Sequence, residues 1–186
     1  VCQLTVSSAG AEEAKAFAFQ NTPGQTLDVL CGSKIVGRYM YAYDPSTPEK
    51  KNETYKPYLH VFDAEGKAPI TKGPGGEYTH HRGIYIGWNK IGFNGKTYDR
   101  WHMKGGEQVV QGQLGTRSDA ASATVTSTVH WNDEAGKPIL VETRTLAFLR
   151  APAPAYALID FRSELQAPSG DVSLDGDPEH AGIHFR

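Results

Sequence analysis

Sulfur and charge of a single sign are both scarce in this chain. Its 186 residues include two cysteines and two methionines, and 19 basic against 21 acidic side chains leave a formal net charge of −2. Neither Cys2 nor Cys31 belongs to a CxxC pair, which argues against a thiolate metal centre. On an exported route the two could pair; otherwise they are two buried thiols. A dedicated nucleic-acid binder carries a basic surplus, and none is present. No run approaches the ~18 consecutive apolar residues of a membrane-spanning helix, so no span is expected. The familiar catalytic templates are missing too: there is no GxSxG, HExxH, P-loop or GxGxxG opening a helix. Gly73-Pro74-Gly75-Gly76 lacks a following Lys-Ser/Thr and reads as a loop. No internal repeat, heptad or low-complexity tract is found.

What the chain does have is turn residues and alternation. There are 20 glycines, 11 prolines and nine tyrosines, and period-two patterns recur between turn signals, the mark of an all-β chain. Residues 26–31 and 34–43 read as a hairpin around Gly32-Ser33, with Tyr39, Tyr41 and Tyr43 on one face. A short strand is expected over 57–62 and another over 83–93, with Ile84, Ile86 and Trp88 on one side. Asn94-Gly95 then makes a tight turn into 97–102. Four long strands follow in meander order, over 107–114, 123–131, 139–149 and 155–165. In the last, Ala155, Ala157, Ile159, Phe161 and Leu165 face one way, and Tyr156, Asp160, Arg162, Glu164 and Gln166 the other. Residues 9–19 form the only good helical stretch, and their Phe-Ala-Phe end suits a strand equally. The expected architecture is one large antiparallel β-sandwich over residues 1–186. The chain opens on Val1-Cys2 and stops inside the alternating 181–186 segment. A removed secretory leader, hence a periplasmic or secreted location, is expected at the first end. A sheet incomplete at the C-terminus is expected at the other.

Three clusters can carry chemistry. They are Tyr78-Thr79-His80-His81-Arg82-Gly83, Asp99-Arg100-Trp101-His102, and the run from Asp175-Gly176-Asp177-Pro178-Glu179-His180 to Ala181-Gly182-Ile183-His184. Together they hold five of the seven histidines, beside arginine, carboxylates and tryptophan. Imidazole moves protons near neutral pH or binds a metal when neutral. Arginine grips hydroxyl-rich or carboxylate ligands with a rigid fork. Tryptophan offers a flat face to a sugar ring, although residues such as Trp88 and Trp101 are more often core than ligand platforms. On an extended chain His80 and His81 point to opposite sides, so one of them is expected in a given pocket. His180 and His184 would lie about 13 Å apart on a strand, and they meet only if the chain turns between them. His130 is expected on a solvent face, and His60 is intermediate.

His80-His81-Arg82-Gly83-Ile84-Tyr85-Ile86-Gly87-Trp88 resembles the "HHRG…W" signature of the PmoA-like family. Lys56-Pro57-Tyr58-Leu59-His60, Asn94-Gly95 through Asp99-Arg100-Trp101-His102, and Asp177-Pro178-Glu179-His180-Ala181-Gly182 are similar to further segments of that family. Arg100 departs from it, standing where the family has an aromatic residue. Methane oxidation does not follow, because the monooxygenase subunit of that name is a membrane helical protein. The resemblance implies a β-sandwich related to the galactose mutarotase supersandwich, and companions in bacterial sugar catabolism. Mutarotase-like sites use a histidine acid and a carboxylate base in a sheet groove, an analogy from fold.

The resulting expectation is a carbohydrate-active protein with a groove for a sugar or glycoside. His81, His102 and His180 are the candidate acid–base residues. Arg82, Asp99, Tyr58, Trp88 and Trp101 are the candidate substrate contacts. A divalent metal on His80, His102 and His180 is the third possibility. The competing expectation is a non-catalytic carbohydrate-binding or structural domain, resting on the tyrosine stripe.

Overall fold

The structure, a computed structural model, describes residues 16–186. Cys2 and most of the expected 9–19 helix lie outside the described residues. The Phe-Ala-Phe end of that segment is a strand, β1 (Phe17–Thr22). Next come β2 (Thr26–Cys31), β3 (Lys34–Met40), α1 (Pro48–Thr54), the one helix among the described residues, and β4 (Tyr58–Val61). Then follow β5 (Ile84–Trp88), β6 (Lys90–Phe93), β7 (Lys96–Tyr98), β8 (Gln108–Ser118) and β9 (Ser122–Asn132). The last are β10 (Pro138–Leu149), β11 (Leu158–Gln166), β12 (Ser173–Asp175) and β13 (Ala181–Phe185). All pairing between these strands is antiparallel, as the alternation predicts.

Two sheets face each other. One runs β1-β2-β3-β4-β5-β13 and the other β11-β10-β9-β8, while β12-β6-β7 forms a small third sheet. Leu27, Val29, Tyr39 and Leu59 of the first sheet pack on Val125, Leu146 and Phe148 of the second. A second cluster joins Ile86 and Ile91 to Val129, Trp131 and Leu140. Each fully buried large apolar side chain of this kind contributes roughly 1.5–3 kcal/mol. The all-β sandwich is therefore what the patterning expects. Differences are local. The expected strand 83–93 breaks at Asn89 into β5 and β6, and the expected strand 97–102 stops at Tyr98. The Asn94-Gly95 turn forms with both residues at positive φ, 49° and 71°.

Two buried charges sit between the sheets. Glu142 and Arg144 are both inaccessible to solvent. Arg144 donates from Nε to Glu142 Oε1 at 2.8 Å and from Nη2 to Glu142 Oε2 at 2.9 Å. Trp131 Nε1 donates to Glu142 Oε2 at 2.9 Å, and Arg144 Nη1 donates to the Pro57 carbonyl at 3.0 Å. The last bond ties the four-stranded sheet to the residue that leads into β4. Removing one member strands the other in an apolar interior. Arg144→Leu is expected to cost about 3–5 kcal/mol in urea unfolding, and the double replacement Glu142→Leu/Arg144→Leu to cost less than the single one.

Candidate histidine site on the outer sheet face

The site is built on the face of the six-stranded sheet that points away from the sandwich core. In β5, Ile84 and Ile86 turn inward to the core clusters, so Tyr85 faces outward. His184 of β13 is its register partner, and the two rings stack at 6.1 Å. Gly87, also in β5, makes room for what lies above. A Cβ there would collide with the Arg100 backbone, and Arg100 N donates to the Trp88 carbonyl at 2.8 Å. The 99–104 turn is thereby pressed onto the strand. It lowers Trp101, fully buried, to 5.0 Å from the Tyr85 ring.

Below this floor lies Lys56, 1% exposed, which sequence reasoning passed over as a site residue. Its Nζ donates to the Trp101 carbonyl at 3.0 Å and sits 3.7 Å from the Tyr85 ring centre. Burial pushes its ammonium well below the usual lysine range; Arg82 and Arg144 add to the effect and Asp99 opposes it.

Five histidines surround Trp101. His184 approaches it to 4.0 Å, His180 to 5.5 Å and His81 to 6.2 Å, all edge to face. His80 lies 4.3 Å from His81 and 4.6 Å from His102, and His102 lies 5.1 Å from His180. All five are half-buried. Local turns explain the convergence. His81 N donates to the Tyr78 carbonyl at 3.1 Å, so His80 and His81 occupy a turn rather than extended chain. Both rings therefore reach one site, where extended geometry allowed only one. His180 N donates to the Asp177 carbonyl at 3.0 Å in a turn with Pro178 second. That turn brings His180 to the same tryptophan as His184, removing the separation expected for one continuous strand.

Two of the rings are backed by carboxylates. Asp99 accepts from His102 Nδ1 at 2.8 Å and from the backbone N–H groups of Trp101 at 3.0 Å and His102 at 2.8 Å. Asp177 accepts from His180 Nδ1 and, at 2.9 Å, from Asn89 Nδ2. An ionised carboxylate only accepts, so both rings carry their proton on Nδ1 and present Nε2.

The expected substrate contacts are placed differently. Arg82 is fully buried, and its fork donates to the carbonyls of Thr79 at 2.8 Å, Glu53 at 2.7 Å and Asn52. It anchors the end of α1 to the histidine turn instead of facing a ligand. Tyr58 is 2% exposed beneath that guanidinium. Trp88 packs 5.9 Å from Trp131 in the second core cluster, and Trp101 is the floor rather than an open platform. Asp99 holds His102 in position. Arg100 is fully buried and donates to the carbonyls of Asp99 and Lys104 at 3.0 Å, Gly105 at 2.9 Å and Asn132. His60 is buried against Thr71 Oγ1 at 2.9 Å, and His130 is half-buried on β9. Among the described residues, the three metal-type ligands whose donor atoms lie within 4.8 Å of one another are Asp177, Glu179 and His180, not His80, His102 and His180.

The family of unknown function DUF6807 matches residues 26–186. The chain belongs to that family. This corrects the PmoA-like assignment suggested by the short motifs. Those motifs hold residues with packing duties, such as Arg82 on the α1 carbonyls and Gly83, where a Cβ would collide with the Leu59 carbonyl. No curated protein and no solved structure matches the chain. No helix among the described residues is long and apolar enough to cross a membrane.

Crowding sets the protonation of the cluster. Burial, then His81 and His102, pushes His80 down to about 4. Burial, then Arg186 and Lys56, pushes His81 down to about 4. Burial also lowers His184. His80 and His81 are thus neutral at pH 7, able to accept a proton or donate a lone pair. In the unfolded chain both would protonate near 6.5. Their contribution to stability is therefore complete above pH 6.5 and is lost as pH falls toward 4. Thermal unfolding measured across that window should show a shallower pH dependence for His80→Gln/His81→Gln than for the native protein.

Proposed function

We propose that the histidine cluster is a proton-transfer site for a small hydroxylated substrate, a sugar or a glycoside. The observation that supports it is convergence. Segments around residues 56, 80, 102 and 180, far apart in the chain, bring five imidazoles and two His–Asp pairs to one half-open floor. Proton transfer needs such groups within reach of one point.

The chemistry divides between the two kinds of histidine. His80 and His81, pushed down to about 4, are neutral at pH 7 and weak as bases, and they suit hydrogen bonding to a substrate hydroxyl rather than removal of its proton. His102 and His180 present Nε2 to the substrate, and Asp99 and Asp177 stabilise the positive charge when a proton arrives there. In a ring-opening step, one imidazole takes the proton of the anomeric hydroxyl while a protonated one delivers a proton to the ring oxygen. The anomeric C–O bond to that oxygen breaks as the carbonyl forms. Lyase and hydrolase reactions would use the same pair of roles. An extracytoplasmic location belongs to this reading, and cell fractionation tests it.

A second reading has its own observation. A cavity of about 670 Å3 is lined by Phe19, Asn21, Tyr41, Tyr43, Val110 and Leu114 among others, and by none of the cluster histidines. Tyr41 stacks beside buried Tyr39 at 6.1 Å, which retains part of the tyrosine stripe. A binding domain would hold its sugar there, without turnover. The histidines, not this cavity, carry the proposal, because volume alone supplies no chemistry.

Polarimetry and ligand-observed NMR against a panel of aldoses and glycosides test both readings. Acceleration of at least one conversion is expected, reduced about 10²–10⁴-fold in His102→Ala and in His180→Ala. Full acceleration in both variants, or no sugar recognised by the native protein, overturns the proposal. Binding abolished by Tyr41→Ala but kept in His102→Ala establishes the second reading.

A further inference from the structure

We infer that Asn89 is a positioning residue of the proton-transfer site, setting the orientation and tautomer of His180 through Asp177. The inference rests on the reading of that site proposed above and adds a residue from outside its three histidine segments.

Strand pairing is the first argument. Strands β12 and β13 run antiparallel to β6 and β5 as one interrupted ladder, in which Asp175 pairs with Lys90 and Ala181 with Trp88. A single residue, Asn89, therefore stands opposite the whole segment 176–180. Such an insertion is an enlarged bulge, a device that re-aims side chains beside functional sites. This one carries Asp177 and His180. The break between β5 and β6 and the turn that delivers His180 are thus two sides of one irregularity.

Hydrogen bonds are the second argument. Asn89 N donates to the His180 carbonyl at 3.0 Å, and Asn89 Nδ2 donates to Asp177 Oδ2 at 2.9 Å. Asp177 Oδ1 accepts from His180 Nδ1. Asn89 grips both ends of the turn, one with its main chain and one with its side chain. The two oxygens of the carboxylate are divided between the amide and the imidazole, so the amide fixes the plane that the ring meets. Asp99, by contrast, is held by N–H groups of its own turn. The donor to Asp177 lies 88 residues away in the chain, and local turn geometry does not account for it. The His180 ring above all, with Asn89 adding to it against some desolvation, holds the Asp177 carboxyl below the usual carboxylate range.

The other end of the amide is the third argument. With Nδ2 on Asp177, Asn89 Oδ1 is left buried with no donor among the described residues. A buried acceptor without a partner is costly, and that cost marks an amide committed to the carboxylate. Gly176, at φ 149°, leaves the space this orientation needs, since a Cβ there would collide with Oδ1. Held in this way, Asp177 keeps the proton of His180 on Nδ1 and its Nε2 free for the substrate.

Long-range 1H–15N NMR of the imidazole nitrogens tests the inference on the whole chain, without substrate, at a pH where the rings are neutral. Signals of His180 and His102 are assigned by their loss in His180→Ala and His102→Ala. Both should be Nδ1–H in the native protein. Asn89→Ala, and the equally sized Asn89→Asp that sets a second carboxylate against Asp177, should return His180 to the mixed tautomers of a free imidazole and leave His102 unchanged. Both variants keep the backbone N–H that docks the turn. On a sugar that the native protein converts, kcat should fall about 10–100-fold with KM little changed, and further in Asn89→Asp than in Asn89→Ala. A His180 signal unaltered in both variants overturns the inference. So does full kcat in both, or a tautomer change shared by His102, which would make Asn89 a support of the whole floor. A native protein that converts no sugar overturns the proton-transfer reading alone, because the NMR spectra still decide whether Asn89 positions His180.

Discussion

Buried cations on backbone carbonyls are the constraint from which the rest of this structure follows. Lys56, Arg82, Arg100 and Arg144 are each at most 1% exposed. Each donates to main-chain oxygens outside the strands: Trp101 for Lys56, Asn52 and Glu53 in the last turn of α1 for Arg82, Lys104 and Gly105 for Arg100, Pro57 for Arg144. Loops packed against a sheet carry carbonyls that no ladder satisfies, and a buried carbonyl without a donor is costly. Guanidinium groups with five donors in a fixed fork solve this at several places at once. Only Arg144 among the four has a fully buried carboxylate as counter-charge. The other three are held mainly by carbonyl dipoles and by the faces of Tyr55, Tyr85 and Tyr98.

These cations also connect core to site. Residues 55–57 are strung between them. The Tyr55 carbonyl accepts from Gln108 N at 2.9 Å, Lys56 reaches the Trp101 carbonyl, and the Pro57 carbonyl receives Arg144. A disturbance of the ion pair between the sheets thus reaches Pro57, the residue next to Lys56, whose Nζ holds the floor under the histidines. The site is not a decoration on a finished sandwich. Its floor and the inter-sheet contact share one stretch of backbone.

Much of the fold is legible in the sequence because a half-buried strand must alternate. Strands β8 to β11 and the hairpin of β2 and β3 follow that rule, and Asn94-Gly95 forms the turn its residues favour. Strand ends are less legible, since β5 and β6 run together as one apolar pattern until Asn89 interrupts the pairing. The three chemical clusters are visible as residue types, but their meeting point is not. It depends on turns at His81 and His180, and hydrophobic period carries no signal for them. The buried cations are missed for a different reason: charged residues are ordinarily read as surface. One signal was available. Leu140, Glu142, Arg144, Leu146 and Phe148 share a face by period two, so opposite charges two apart in that apolar row mark a pair that must bury itself.

Strand β13 brings His184, and the turn before it brings His180, to a sheet whose other strands all precede residue 89. Its pairing with β5 encloses the entire four-stranded sheet in one chain loop. Contacts so distant in sequence carry a high loop-closure cost, which must be met before any gain from them. A chain still emerging, or one cut before residue 177, has its core residues but only part of its histidines. The five-histidine cluster is complete only when β13 has paired with β5.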